Sequence, residues 1–130
     1  MTKNSFIKIL GLLLVVGLLF AALPSGSAQA ATSTIACTGT GDSALLQGAI
    51  NAAADGDTIS VTGTCVLDSN ITVSKAVNLD GNDQAAKIQV SGTGYRITMT
   101  TAGTTLQGFE IEKTDKTGEQ NIIWINASNV

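Results

Sequence analysis

From Thr58 onward the hydrophobic pattern has a period of two, and short apolar-alternating runs are separated by Gly, Asn, Asp or Ser. The strand candidates are Thr58 to Val61, Cys65 to Leu67, Ile71 to Val73, Val77 to Leu79, Lys87 to Val90, Tyr95 to Met99, Thr104 to Ile111 and Ile122 to Ile125. One pattern recurs among them. Ile71-Thr72-Val73 returns as Ile97-Thr98-Met99 and again as Ile123-Trp124-Ile125, each 26 residues after the last. Side chains alternate faces along a strand, so the repeat predicts an inward lane of Ile71, Val73, Ile97, Met99, Ile123 and Ile125.

Further lanes have nearly the same spacing. Val77-Asn78-Leu79-Asp80-Gly81 matches Thr104-Thr105-Leu106-Gln107-Gly108, with Leu79 and Leu106 separated by 27, and Ala102-Gly103-Thr104-Thr105 resembles Ala127-Ser128-Asn129-Val130. From Thr58 onward two-residue hairpin loops of the Asn-Gly or Asp-Gly type are nearly absent, Asp80-Gly81 being the one of that kind. The expectation is therefore successive turns of two or three short strands each, bonded to the turns above and below.

Ahead of Thr58 the period is helical. Leu45, Leu46, Ala49, Ile50 and Ala53 fall on one face, Asp42 or Ser43 is placed to cap the N-terminus, and Asp55-Gly56-Asp57 ends the run. This predicts an amphipathic helix of about three turns. Gly48 within it costs up to about 1 kcal/mol relative to Ala, which implies weak helicity or a close backbone approach. The preceding segment, Ala31 to Thr40, reads as extended, with Cys37 its fixed point.

The first 30 residues have the pattern of an export signal: Lys3 and Lys8, an apolar run from Ile9 to Phe20, then Ala28-Gln29-Ala30 as an A-x-A cleavage site. The run falls short of the roughly 18 unbroken apolar residues of a spanning helix. Cleavage is expected after Ala30. Cys37 lies too far beyond the run to serve as a lipoprotein anchor.

Removing Lys3 and Lys8 leaves five basic residues against ten acidic ones, a net charge of −5. That balance argues against nucleic acid and anionic membrane as partners. Two cysteines remain, Cys37 and Cys65. In an oxidising compartment such a pair closes, and a disulfide is predicted, contributing roughly 3–4 kcal/mol through loop closure.

Leu46-Gln47-Gly48-Ala49-Ile50-Asn51-Ala52-Ala53-Ala54-Asp55-Gly56-Asp57-Thr58-Ile59-Ser60-Val61 resembles the N-terminal entry of the pectate-lyase-like superfamily, and Leu106-Gln107-Gly108-Phe109-Glu110-Ile111 resembles a recurring motif of its coils. The resemblance implies an all-β fold: a right-handed parallel β-helix, or solenoid, with an N-terminal amphipathic capping helix. In this reading residues 1–30 are the signal peptide, 31–57 the N-terminal segment and capping helix, and 58–130 the first coils, roughly three in number and truncated at Val130. Lyases of that superfamily use Asp-bound calcium and an Arg base, and its hydrolases use grouped Asp carboxylates.

Against that chemistry the chain offers little. Arg96 is its one arginine and there is no histidine. Arg96 alternates outward from Ile97 and reads as a solvated strand-face residue. Asp80, Asn82 and Asp83 put three oxygen-bearing side chains in one turn, which reads as local backbone satisfaction rather than a calcium site. Glu110 and Glu112 share an outer strand face about 7 Å apart. Asn70-Ile71-Thr72 and Asn126-Ala127-Ser128 match the glycosylation pattern by coincidence, since Ile71 reads as core. No catalytic, cofactor-binding or metal residue is assigned, and no cofactor is expected.

The functional expectation is a secreted or cell-surface piece of a polysaccharide-directed protein, itself without an active site, whose parent is a lyase, a glycoside hydrolase or not an enzyme. The alternative is a non-catalytic adhesive solenoid. Extracellular polysaccharide is the expected partner, no membrane contact follows signal cleavage, and the exposed final coil is expected to self-associate.

Overall fold

A computed structural model of the chain describes residues 29–90, 96–114 and 121–127. The lysines and apolar run of the expected export signal, Tyr95, and the expected truncation at Val130 lie outside the described residues. In chain order the elements are β1 (Thr32–Thr38), α1 (Asp42–Ala52), β2 (Thr58–Leu67), β3 (Ile71–Val73), β4 (Asn78–Asp80), β5 (Ala86–Val90), β6 (Ile97–Met99), β7 (Thr105–Gln107), β8 (Phe109–Lys113) and β9 (Ile123–Ile125).

The architecture differs from the expected one. The described residues form two sheets of parallel strands and a single short helix, not a right-handed parallel β-helix solenoid headed by an N-terminal capping helix. One sheet has six strands, in the order β7-β4-β2-β5-β8 with β1 also on β2; the other has three, in the order β3-β6-β9. The helix is not the leading element. β1, within the segment read from the sequence as extended, is a seven-residue strand that pairs with β2 from Thr32↔Thr58 to Thr38↔Thr64. Only its second half alternates, with Ile35 and Cys37 turned inward between Thr34, Ala36 and Thr38.

β2 carries the six-stranded sheet. It runs unbroken for ten residues where the sequence suggests two strands, Thr58–Val61 and Cys65–Leu67. The join is Thr62-Gly63-Thr64, and Gly63 makes it possible. Its φ is 79°, and a Cβ there would lie 2.5 Å from the Cys37 carbonyl oxygen. β2 then meets two different strands in succession, β4 along Thr58–Ser60 and β5 along Gly63–Leu67. Conversely, the single candidate Thr104–Ile111 divides into β7 and β8 at Gly108, whose φ is 68°.

The 26-residue recurrence is a pairing register. Ile71 lies beside Ile97 and Ile97 beside Ile123; Val73, Met99 and Ile125 align likewise, as do Thr72, Thr98 and Trp124. The second lane also holds, with Leu79 paired to Leu106. Ile71, Val73, Ile97 and Met99 are buried, each fully buried aliphatic side chain contributing about 1.5–3 kcal/mol. Ile125 keeps its register position in the lane but is 57% exposed, β9 being the outer strand of its sheet among the described residues.

Both sheets and α1 share one apolar core, which includes Leu46, Ile50, Ile59, Leu67, Leu79, Ile88 and Ile97. Of the expected helical face, Leu46 and Ile50 are buried, while Leu45 is 44% exposed. Asp42 and Ser43 do not cap the helix. The N-cap is Gly41, in the left-handed conformation with no side-chain cap bond, and Asp42 and Ser43 are turned into the protein. No atom comes within 4 Å of a Cβ at Gly48, so no close approach requires it. Cys37 and Cys65 form the predicted disulfide, joining β1 to β2 with Cα atoms 4.8 Å apart. Among the described residues no helix is long and apolar enough to cross a membrane.

Candidate functional site

The three-stranded sheet buries Ile71, Val73, Ile97 and Met99 on one face, which leaves Thr72, Thr98 and Trp124 in register on the other. Arg96 precedes β6. Its backbone is fixed on both sides: its N–H donates to Asn70 Oδ1 at 3.1 Å, and its carbonyl accepts the Ile71 N–H at 3.0 Å. From there the guanidinium reaches Trp124, with Cζ 5.5 Å from the ring centroid. A cation over an indole at this distance and exposure is worth about 0.5–1 kcal/mol. Trp124 is still 45% exposed.

Arg96 was expected to be a solvated strand-face residue, and the ring contact was missed. The register contains the signal. If Ile97 pairs with Ile123, then Arg96 and Trp124 are diagonal neighbours on the same face, within reach of a long side chain and an aromatic. Asn70, set aside as a coincidental glycosylation match, holds the Arg96 amide. Ser128, which completes the second match, lies outside the described residues.

A second candidate lies at the turn between β4 and β5. Asp80, Asn82, Asp83, Gln107 and Gly108 line an open cavity of about 310 Å³. Asn82, Asp83 and Gln84 are all left-handed, with φ of 51°, 54° and 73°. The turn is closed largely by its own bonds. Asp80 Oδ1 accepts the Asn82 N–H at 3.0 Å, and Asn82 Nδ2 donates to Ser60 Oγ and the Val61 carbonyl. Gln84 N–H donates to the Gly108 carbonyl at 2.7 Å, which ties the turn to the β7–β8 junction. Among the described residues no group of three or more His, Cys, Asp and Glu converges as a metal set.

Glu110 and Glu112 face a cation on the neighbouring strand. Lys87 Nζ lies 3.0 Å from Glu110 Oε1 and 3.2 Å from Glu112 Oε2, and its pKa is raised by these two bonds. Gln89 donates to Glu112 as well. The two carboxylates thus serve a salt bridge across β5 and β8 and are not a free acid–base pair.

At the start of β1, Asp57 accepts the Ala31 N–H at Oδ1 and the Ala54 N–H at Oδ2, each at 2.8 Å. These bonds, the Ala31 one foremost, hold its pKa below the usual carboxylate value, and the charge of Lys75 adds to the effect. Beside it an apolar cavity of about 190 Å³ opens between β1 and the C-terminal end of α1, lined by Ile35, Ala49 and Ala53 among others.

No protein-family model, curated protein or solved structure matches the chain.

Proposed function

We propose that the chain is an exported protein that binds extracellular polysaccharide, with Arg96 and Trp124 as the contact. The observation that carries this reading is the Arg96 guanidinium set 5.5 Å from the ring of a tryptophan that stays 45% exposed on an open sheet face. An exposed indole offers an apolar plane to the C–H face of a sugar ring, as it does to other amphipathic ligands. A guanidinium beside it donates paired hydrogen bonds to a carboxylate or to hydroxyls. Thr72 and Thr98 extend the same face with hydroxyls. The polysaccharide class rests on the exposed indole with a guanidinium and two threonine hydroxyls on the same face, and the export on the signal-like first 30 residues.

Binding, rather than turnover, is the activity proposed. The net charge of −5 after signal removal opposes long-range attraction of an acidic polymer, so recognition rests on close contact. Trp124 is the one tryptophan of the chain and therefore its own reporter. Titration with polygalacturonate and with a neutral glucan should change its fluorescence in one arm or both. Arg96→Gln should weaken the acidic arm by about five- to tenfold, a loss of about 1–1.4 kcal/mol. Unchanged fluorescence, together with no retardation in gels cast with either polymer, would reject the proposal.

A further inference from the structure

We propose that Asp57 is a docking site for the α-ammonium group of Ala31, created when the Ala30–Ala31 bond is hydrolysed. Two independent observations meet at this atom. The A-x-A pattern Ala28-Gln29-Ala30 places the cut ahead of Ala31. The fold places the Asp57 carboxylate 2.8 Å from the nitrogen that this cut would free. The inference rests on the export reading and adds to it what the new terminus does.

The geometry around Ala31 is built from both sides. Its nitrogen meets Asp57, and its carbonyl accepts the Thr58 N–H at 2.8 Å, one step before the β1–β2 ladder begins at Thr32↔Thr58. Ala30 and Ala31 are exposed, so the α-amino group would have room for its added protons. Asp57 is itself fixed by the Ala54 N–H and by its own N–H on the Ala54 carbonyl. The other charged groups nearby are Lys75, which lowers the Asp57 pKa, and Asp55, whose Oδ1 accepts the Ala76 N–H.

In the reaction a peptidase adds one water across the Ala30–Ala31 amide. The C–N bond breaks, the Ala30 carbonyl carbon takes the hydroxyl and ionises as a carboxylate, and the Ala31 nitrogen takes the protons to become an ammonium. A neutral amide donor facing Asp57 is thereby replaced by a full positive charge at the same position, and a hydrogen bond becomes an ion pair. The start of β1 is then fastened by its own terminus. The ammonium is favoured in the fold, so its contribution is present below the ordinary α-amino pKa of about 7.7–8.0 and is lost as pH rises through the folded value. The Asp57 contribution has the opposite sign and is lost as pH falls through its lowered pKa.

The test uses the exported, processed protein. Intact mass should show a chain beginning at Ala31. At pH 7.5 its α-amine should be acylated about two- to fivefold more slowly than that of the Asp57→Asn variant, the range expected for an exposed ion pair. A chain carrying one extra Gly ahead of Ala31 should react at the faster rate. Should the variant fail to fold, an NMR titration of the wild-type α-amine decides the matter: a pKa higher in the folded than in the urea-unfolded chain supports the pair, and equal values overturn it. A mature chain beginning elsewhere, or equal acylation rates, also overturns it.

Discussion

Gln47 faces Thr72 as one peptide group faces another: Nε2 donates to the Thr72 carbonyl at 3.0 Å and Oε1 accepts the Thr72 N–H at 2.8 Å. Thr72 is on β3, at the edge of the three-stranded sheet, and the Gln47 amide supplies the two bonds that a neighbouring strand would make there. Gln47→Ala should cost about 1 kcal/mol in urea denaturation, both bonds being exposed. Gln47→Glu should do no better, because a carboxylate accepts from the Thr72 N–H but opposes its carbonyl. A glutamate variant as stable as wild type would show that the amide's donor is unimportant.

Asp42 holds the start of α1 by a different device. Its carboxylate accepts the N–H groups of Thr38 and Gly39 and, across the fold, of Val66, at 3.1, 2.7 and 3.1 Å. It is buried, so truncation would leave these donors without a partner inside the protein. Asp42→Ala is expected to cost about 2–4 kcal/mol, and Asp42→Asn less, since one acceptor oxygen survives. Chemical denaturation of the two variants should rank them in that order.

These two contacts also show where the sequence was legible. The lane of Ile71, Ile97 and Ile123 was readable because a strand in a repeated register keeps its apolar period in plain view. The disulfide was readable from a lone pair of cysteines behind a signal-like N-terminal pattern. Asp42 and Ser43 were misread because a short polar residue before a helix suits a cap and an inward hub equally well. Only the tertiary position of Val66, Asp68 and Ser69 decides between them. The architecture was misjudged for a similar reason. The polar Thr and Ser of β1 hide a strand whose partner, β2, lies beyond the helix, and a resemblance in the helix and turn does not specify what comes before them.

Gly48 and Gly81 make a contrasting pair. Gly48 lies in α1 with open space around it, so Gly48→Ala should raise stability by about 0.5–1 kcal/mol through helix propensity. At Gly81 a Cβ would run into the Gly108 carbonyl and the Phe109 ring, where Gly81 N–H already donates to the Gln107 carbonyl. Gly81→Ala should therefore destabilise, by about 1–3 kcal/mol. Thermal melts of both variants should move in opposite directions.

Lys87 makes stability depend on alkaline pH. Its pKa is raised above 10.5 by Glu110 first and Glu112 second, so the protonated form is favoured in the folded state. By linkage this contribution is complete below the unfolded pKa of 10.5 and disappears as pH rises through the higher folded value. Lys87→Met should thus narrow its stability deficit against wild type as pH climbs beyond 10.5, and added salt at neutral pH should narrow it too, since all three side chains are substantially exposed. Denaturation midpoints of the two proteins, compared at pH 8 and pH 11 and at low and high salt, measure this directly. A deficit that is constant across both comparisons would mean that Lys87 acts by packing its stem against the sheet rather than by its charge.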